Sequence, residues 1–161
     1  MSGAPAVVFE QVLRTLRTEE AELVALTVVA RQELDALLRS DYEAVEAASS
    51  AMALRAHGIE NLETERKRLL AELGLEDETL DVVASAAEAA GVGGFADVRN
   101  SLLCSAAGLR EAQERNARLL LSAMKLQERW ITMFSALWSP TYGADGSQDR
   151  QVGHRLMSRS A

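Results

Sequence analysis

Apolar residues recur along this chain in alternating steps of three and four positions, the spacing of one face of an α-helix. The longest such pattern runs from Val98 to Trp138 without a proline, so it predicts a single helix about 60 Å long at 1.5 Å per residue. Its apolar seam consists of two registers of seven-residue steps: Leu102, Leu109, Asn116, Ala123, Trp130 and Leu137, and Val98, Ser105, Ala112, Leu119, Leu126 and Met133. We expect this helix to pack along its length against the helices before it, with Asn116 fixing their register.

The same pattern predicts two earlier long helices, from about Pro5 to Leu38 and from about Asp41 to Leu73. The connection between them is so short that the second helix must return antiparallel to the first. Ser40 followed by Glu43 has the form of a capping box, which predicts that Ser40 caps the start of the second helix.

Glycines punctuate the middle of the chain. Gly58 lies inside the second helix and indicates either a kink or a close approach of another element. Gly74 followed by Leu75 predicts a Schellman C-terminal cap, with Leu75 folded back onto the last turn. A shorter helix is predicted over residues 76–90, and residues 91–94 (Gly-Val-Gly-Gly) read as a flexible link. This link lacks the Gly-Lys-Ser/Thr ending of a phosphate-binding loop.

Composition supports an all-helical interpretation. Both prolines, Pro5 and Pro140, lie near the ends of the 161 residues, and Ala, Leu, Glu and Arg dominate between them. The predicted fold class is therefore all-α: an antiparallel helical bundle or coiled-coil hairpin with a long C-terminal helix. We expect one domain over residues 1–138 and a disordered, flexible tail over residues 139–161.

Charge and hydropathy narrow the possible partners. Residues 1–138 carry 14 Lys/Arg against 22 Asp/Glu, an acidic balance that disfavours nucleic acid. No segment has the run of about 20 uncharged apolar residues that a membrane span needs. The N-terminal residues lack a basic stretch followed by an apolar run, so no secretory signal is predicted. We therefore expect a cytoplasmic protein with no nucleic-acid partner and no membrane insertion.

Catalytic and metal-binding patterns are not apparent in the sequence. His57 and His154 lie far apart in the chain, and neither belongs to a Glu-x-x-His pair of the kind that binds metal in helical bundles. The single cysteine, Cys104, lies among apolar helix residues and is predicted to be a buried small hydrophobe. Carboxylates mostly alternate with arginines, as on solvated helix faces. We expect no enzymatic activity, no metal and no cofactor.

An aromatic cluster at the end of the last helix stands out from this background. Trp130, Phe134 and Trp138 recur every four residues and form one ridge. One alternative is that they close the end of the bundle, with Trp130 in the core. The other is that they are partly exposed and bind a partner, because ridges of this type suit helix-in-groove recognition.

Three motifs resemble those of the FlgN-type flagellar export chaperones. They are Arg66-x-x-Leu69-Leu70-x-x-Leu73-Gly74-Leu75, Asn116-x-x-Leu119-Leu120, and Thr141-Tyr142-Gly143-Ala144-Asp145-Gly146. The last is the most specific, because heptads occur in any bundle. The resemblance covers the whole chain except residues 148–161, which align with nothing in the family pattern.

This resemblance implies a chaperone that covers the helical termini of hook-associated proteins, the components of the hook–filament junction, before flagellar type III export. It assigns cargo binding to six residues of the last helix: Leu119, Leu120, Leu126, Trp130, Phe134 and Trp138. It assigns docking on the flagellar export apparatus to Tyr142 with Gly143. The alternative from the residues alone is a structural or adaptor coiled-coil protein whose seam is covered by a homo-oligomer.

Overall fold

The computed structural model describes the backbone of residues 3–138, 141–142 and 148–149, and side-chain burial for residues 3–133. The elements in chain order are α1 (Gly3–Leu38), α2 (Tyr42–Ala71), α3 (Leu80–Ala89), α4 (Phe95–Trp138), β1 (Thr141–Tyr142) and β2 (Gln148–Asp149). The all-α prediction is confirmed. Within the part of the chain that the structure describes, no helix is long and apolar enough to cross a membrane.

The chain divides into two compact units, residues 1–118 and residues 119–161, and α4 contributes to both. The domain boundary predicted at residue 138 stays a prediction.

The first core cluster joins the start of α1 to the end of α2, to α3 and to the start of α4. Its buried members are Phe9, Val12, Leu13, Leu16, Leu69, Leu70, Val83, Ala87, Val92, Phe95 and Val98. Phe9 and Phe95 meet edge to face with ring centroids 6.1 Å apart, a favourable aromatic geometry. Because the start of α1 meets the end of α2, the two helices are antiparallel, as predicted.

The second core cluster lies further along α1 and α4. Leu26 and Ala30 of α1 pack with Leu109 and Ala112 of α4, and Leu23, Met52 and Ile59 add partly buried contacts. Phe9 lies near Phe95 and Ala30 near Ala112, so α1 and α4 run parallel. Arg66 of α2 donates to the buried Glu19 carboxylate at 3.0 Å, which adds a polar link between α1 and α2.

Three helices end in the same backbone motif. After α2, Gly74 has φ 67°, and the Leu75 N–H donates to the Leu70 carbonyl at 2.9 Å, which confirms the predicted Schellman cap. After α3, Gly91 has φ 83°, and the Val92 N–H donates to the Ala87 carbonyl at 2.8 Å. This second cap inserts Val92 into the first core cluster, so residues 91–94 do not form the loose link that was expected.

The third cap corrects the assignment of Ser40. Its φ of 56° places it in the left-handed position after α1, and the Asp41 N–H donates to the Ala36 carbonyl at 3.0 Å. The N-cap of α2 is Asp41, whose carboxylate accepts from the Ala44 N–H at 3.1 Å. The capping-box prediction for Ser40 was wrong because Ser40 already terminates the preceding helix.

Three further expectations are settled by burial and backbone geometry. Cys104 is exposed, so the prediction of a buried thiol was wrong. The shorter helix α3 begins at Leu80 rather than residue 76, because Leu75 turns into the core and its carbonyl accepts from the Glu78 N–H. A Cβ added at Gly58 would meet nothing within 4 Å, so no element approaches it closely.

Candidate functional site

The seam of α4 changes character after Asn116. Val98, Leu109, Ala112 and Asn116 are buried, with Asn116 only 4% exposed. Leu119 is half-buried, and every residue from 120 to 133 is exposed. The same heptad pattern therefore forms core in residues 98–116 and surface in residues 120–133. The expectation that α4 packs along its whole length against earlier helices was wrong for this second part.

Asn116 closes the buried part of the seam with a polar network. Its Nδ2 donates to the Ala30 carbonyl at 2.8 Å and to Glu33 Oε2 at 2.6 Å. The other Glu33 oxygen accepts from the Ser49 hydroxyl at 2.9 Å. Asn116 Oδ1 is buried and has no hydrogen-bond partner among the described atoms. Because the network joins α4, α1 and α2, displacing any of them along its axis would break hydrogen bonds of buried groups.

The exposed part of α4 carries a dense apolar surface. Its large exposed side chains are Leu120, Leu121, Met124, Leu126, Trp130, Ile131 and Met133, each 40–57% exposed. Leu126, Trp130 and Met133 occupy the seam, whereas Leu120, Met124 and Ile131 occupy the adjoining face at spacings of four and seven. The apolar surface is therefore wider than a single coiled-coil seam, and surfaces of this kind are typical of partner sites.

The predicted cargo-binding residues are placed unevenly by the structure. Leu120, Leu126 and Trp130 belong to the exposed apolar surface, and Leu119 lies half-buried at its start. The 50% exposure of Trp130 favours the surface alternative over the core alternative. Phe134 and Trp138 belong to α4, but their side chains lie outside the described residues.

Leu121, Met124 and Ile131 are not among the predicted cargo-binding residues. A signal for them was present in the sequence. Met124 and Ile131 stand four and eleven residues after Leu120, which places all three on one helix face. These three positions lie outside the aromatic ridge and outside both heptad registers of the seam.

Charged side chains border the apolar surface. Lys125 and Arg129 stand four residues apart, and Glu128, three residues after Lys125, lies next to Lys125 on the helix surface. Lys125, Glu128, Arg129, Thr132 and Met133 line an open surface hollow of about 500 Å³. Within the described part of the chain, no group of three or more His, Cys, Asp or Glu side chains could hold a metal ion. An exposed apolar surface with a charged border is typical of partner sites.

Comparison with protein families decides the identity. The model of the FlgN family, described as FlgN protein, matches residues 1–150. The chain belongs to the FlgN family. No curated protein and no solved structure matches it. FlgN proteins are flagellar export chaperones and form a chaperone family rather than an enzyme family, so this chain is a flagellar export chaperone.

The FlgN match includes the whole of α4 and extends past it to β1 and β2. Tyr142 lies in β1, where its backbone pairs with Gln148 of the antiparallel β2, and Thr141 pairs with Asp149. Gly143 lies in the connection between the strands, outside the described residues. The sequence did not predict this short ladder, although a five-residue loop containing glycine is typical of β-hairpins.

Proposed function

We propose that this FlgN-family chaperone binds and shields the helical termini of hook-associated proteins, the components of the hook–filament junction, before their export. The single observation that supports the proposal is the exposed apolar surface of α4 between Leu119 and Met133. FlgN chaperones bind flagellar hook-associated proteins in general, and this surface has the chemistry that such a partner needs.

The physical argument rests on complementary apolar helices. Subunits that assemble through helices outside the cell must carry apolar stripes, and these stripes aggregate unless they are covered. Residues 119–133 make about four helical turns, roughly 22 Å at 1.5 Å per residue, which is enough to cover two heptads of a partner helix. The acidic remainder of the chain keeps the complex soluble. We place this step in the cytoplasm, before export.

The test removes two side chains from the exposed surface. Leu126→Ala combined with Trp130→Ala keeps a strong helix former at both positions but removes two large apolar side chains of the seam. We expect affinity for a purified hook-associated protein, measured by isothermal titration calorimetry, to fall at least about 30-fold, equivalent to about 2 kcal/mol.

A matched control is available on the same helix. Leu103 is 57% exposed but lies in residues 1–118, so Leu103→Ala should leave the affinity unchanged. Equal affinity of the wild type and the double variant would remove the support for the surface. Light scattering across concentration tests the alternative: a stable oligomer that ignores hook-associated proteins favours a structural coiled-coil protein.

We also propose that Tyr142, with Gly143, docks on the flagellar export apparatus. Support comes from the match of Thr141–Gly146 to the family motif and from the position of Tyr142 after the end of α4. Tyr142→Ala is expected to weaken binding to the export apparatus at least tenfold in a pull-down titration and to leave cargo affinity unchanged. Tyr42, an 80% exposed tyrosine on α2, gives the control Tyr42→Ala. A loss shared equally by both variants would contradict the assignment.

A further inference from the structure

Charge changes sign between the two units of the chain. Residues 1–118 carry 12 Lys/Arg and 21 Asp/Glu, whereas residues 119–161 carry five Lys/Arg and three Asp/Glu. The first unit is therefore strongly acidic, and the second is weakly basic. A partner with negative charge is repelled by one unit and attracted by the other.

The basic side chains of α4 also differ in their pairing. In the first unit, Arg99, Arg110, Arg115 and Arg118 each form an ion pair with a carboxylate. Among the residues that the structure describes, neither Lys125 nor Arg129 forms an ion pair. These two cations lie beside the exposed apolar surface and are available to carboxylates of another molecule.

Lys125 and Arg129 occupy only one edge of the seam, and we call this pair the basic edge. Arg129 follows Leu126 by three residues and precedes Met133 by four, so it flanks the seam directly. The opposite edge carries Leu120 and Gln127, which have no charge. In helix pairs, residues at these flanking positions select the partner and its orientation through ion pairs.

Pairing of this surface with the same surface of a second copy does not place carboxylates opposite the basic edge. In an antiparallel pair, like edges face each other, so Lys125 and Arg129 of one copy meet the same cations of the other. In a parallel pair, the basic edge meets the uncharged edge of the other copy. Neither arrangement supplies a carboxylate, so the charge pattern favours a different chain as the occupant.

We propose that the exposed surface of α4 takes an amphipathic helix whose apolar stripe is bordered by acidic residues on one edge only. This inference rests on the proposed function and deepens it, because it specifies the charge pattern of the helix that the chaperone shields. The apolar stripe supplies the contact area, and the acidic edge sets the direction in which the helix lies. A helix of about 15 residues spans the described surface at 1.5 Å per residue.

The experiment uses the full chain and two synthetic helical peptides that share one apolar stripe. One peptide carries glutamates along one edge, and the other carries lysines at the same positions. We expect the wild type to bind the glutamate peptide at least about tenfold more tightly at low salt, with a difference that shrinks as salt screens the charges. Lys125→Glu combined with Arg129→Glu should reverse the preference.

A control variant makes the same change in net charge elsewhere. Arg14→Glu with Arg39→Glu alters two exposed positions outside α4 and should keep the preference for the glutamate peptide. Circular dichroism checks that all variants stay helical.

Equal affinity for both peptides, or binding to neither, overturns this inference. So does binding of the basic edge to vesicles of anionic lipid in preference to the glutamate peptide. The proposed function is judged separately, by the loss of hook-associated protein binding in the Leu126→Ala, Trp130→Ala variant. The proposed function stands if the Leu126→Ala, Trp130→Ala variant loses binding, even when the Lys125→Glu, Arg129→Glu variant shows no change in peptide preference.

Discussion

Ser40 holds a backbone conformation that residues other than glycine rarely adopt. Its φ of 56° lies in the left-handed region, where a Cβ costs about 1–2 kcal/mol. The conformation persists because it completes the cap of α1 and leaves Asp41 free to cap α2. One residue therefore carries strain so that two helices can meet across a short turn.

This geometry gives a prediction with a definite sign. Ser40→Gly removes the steric cost of the left-handed conformation in the folded protein. It also increases the conformational entropy of the unfolded chain, which offsets part of that gain. We expect the free energy of unfolding to rise by about 0.5–1 kcal/mol. Urea denaturation followed by circular dichroism measures it. A capping box at Ser40 would instead make the substitution destabilising, by roughly a few tenths of a kcal/mol. Gly74→Ala serves as the counterpart, because it forces a side chain into the same conformation at φ 67° and should destabilise the protein.

Cys104 shows what local sequence context leaves out. Its apolar neighbours indicated burial, but Cys104 follows the seam residue Leu102 by two positions and so faces away from the seam. Its exposure agrees with that register. For a single residue on an amphipathic helix, the position in the repeat predicts burial better than the character of its neighbours.

At the level of elements, the limits of α1, α2 and α4 follow closely from the sequence. Apolar periodicity and the absence of proline predict three long helices, and the Gly74–Leu75 cap follows from the freedom of glycine at positive φ. The start of α3 and the burial of Val92 were not predicted. Both depend on tertiary contacts with the first core cluster, which local pattern does not encode.

α2 shows how a helix with a narrow buried face is maintained. Only Ala48, Leu69 and Leu70 are buried along its 30 residues. The exposed side of α2 carries ion pairs between residues of the helix itself. A hydrogen bond from Lys67 lowers the pKa of Glu63, and one from Arg68 lowers the pKa of Glu65. These side chains are largely exposed, so the pairs add little stability, and packing against α1 supports α2.

The polar network at Asn116 was predicted only in part. A polar residue on the seam of α4 indicated a role in register, and its position is visible in the heptads. Its acceptors, the Ala30 carbonyl and the Glu33 carboxylate, could not be identified from sequence. Glu33 resembles any other charged residue of α1 until the axial offset of α4 is known.

At the scale of the whole molecule, core packing and the proposed partner binding use different parts of one long helix, α4. The candidate surface was predictable as far as the seam and the aromatic ridge allowed, which yielded Leu120, Leu126 and Trp130. Leu121 and Met124, which extend this surface, were not predicted, because apolar periodicity alone does not reveal at which residue the side chains of α4 stop being buried. That limit depends on the lengths of α1 and α2 and on the register set at Asn116.

The division of the chain predicts the behaviour of a shortened protein. The buried members of both core clusters lie between Phe9 and Ala112, and Asn116 also lies before residue 118. A chain ending at Arg118 should therefore fold, with a free energy of unfolding within about 1 kcal/mol of the full chain, since no member of either cluster is removed. Binding to hook-associated proteins should be lost, because the exposed surface is absent.

Urea denaturation and calorimetry check the two halves of this prediction separately. A chain ending at Gly94 is the control: it lacks Phe95, Val98, Leu109 and Ala112 and should not fold cooperatively, since losing several buried side chains exceeds the marginal stability of a small domain. If the chain ending at Arg118 is also unfolded, residues 119–161 contribute to the fold as well as to binding. If it folds and still binds its cargo at full affinity, the binding surface lies within residues 1–118, and the assignment to α4 beyond Asn116 is wrong.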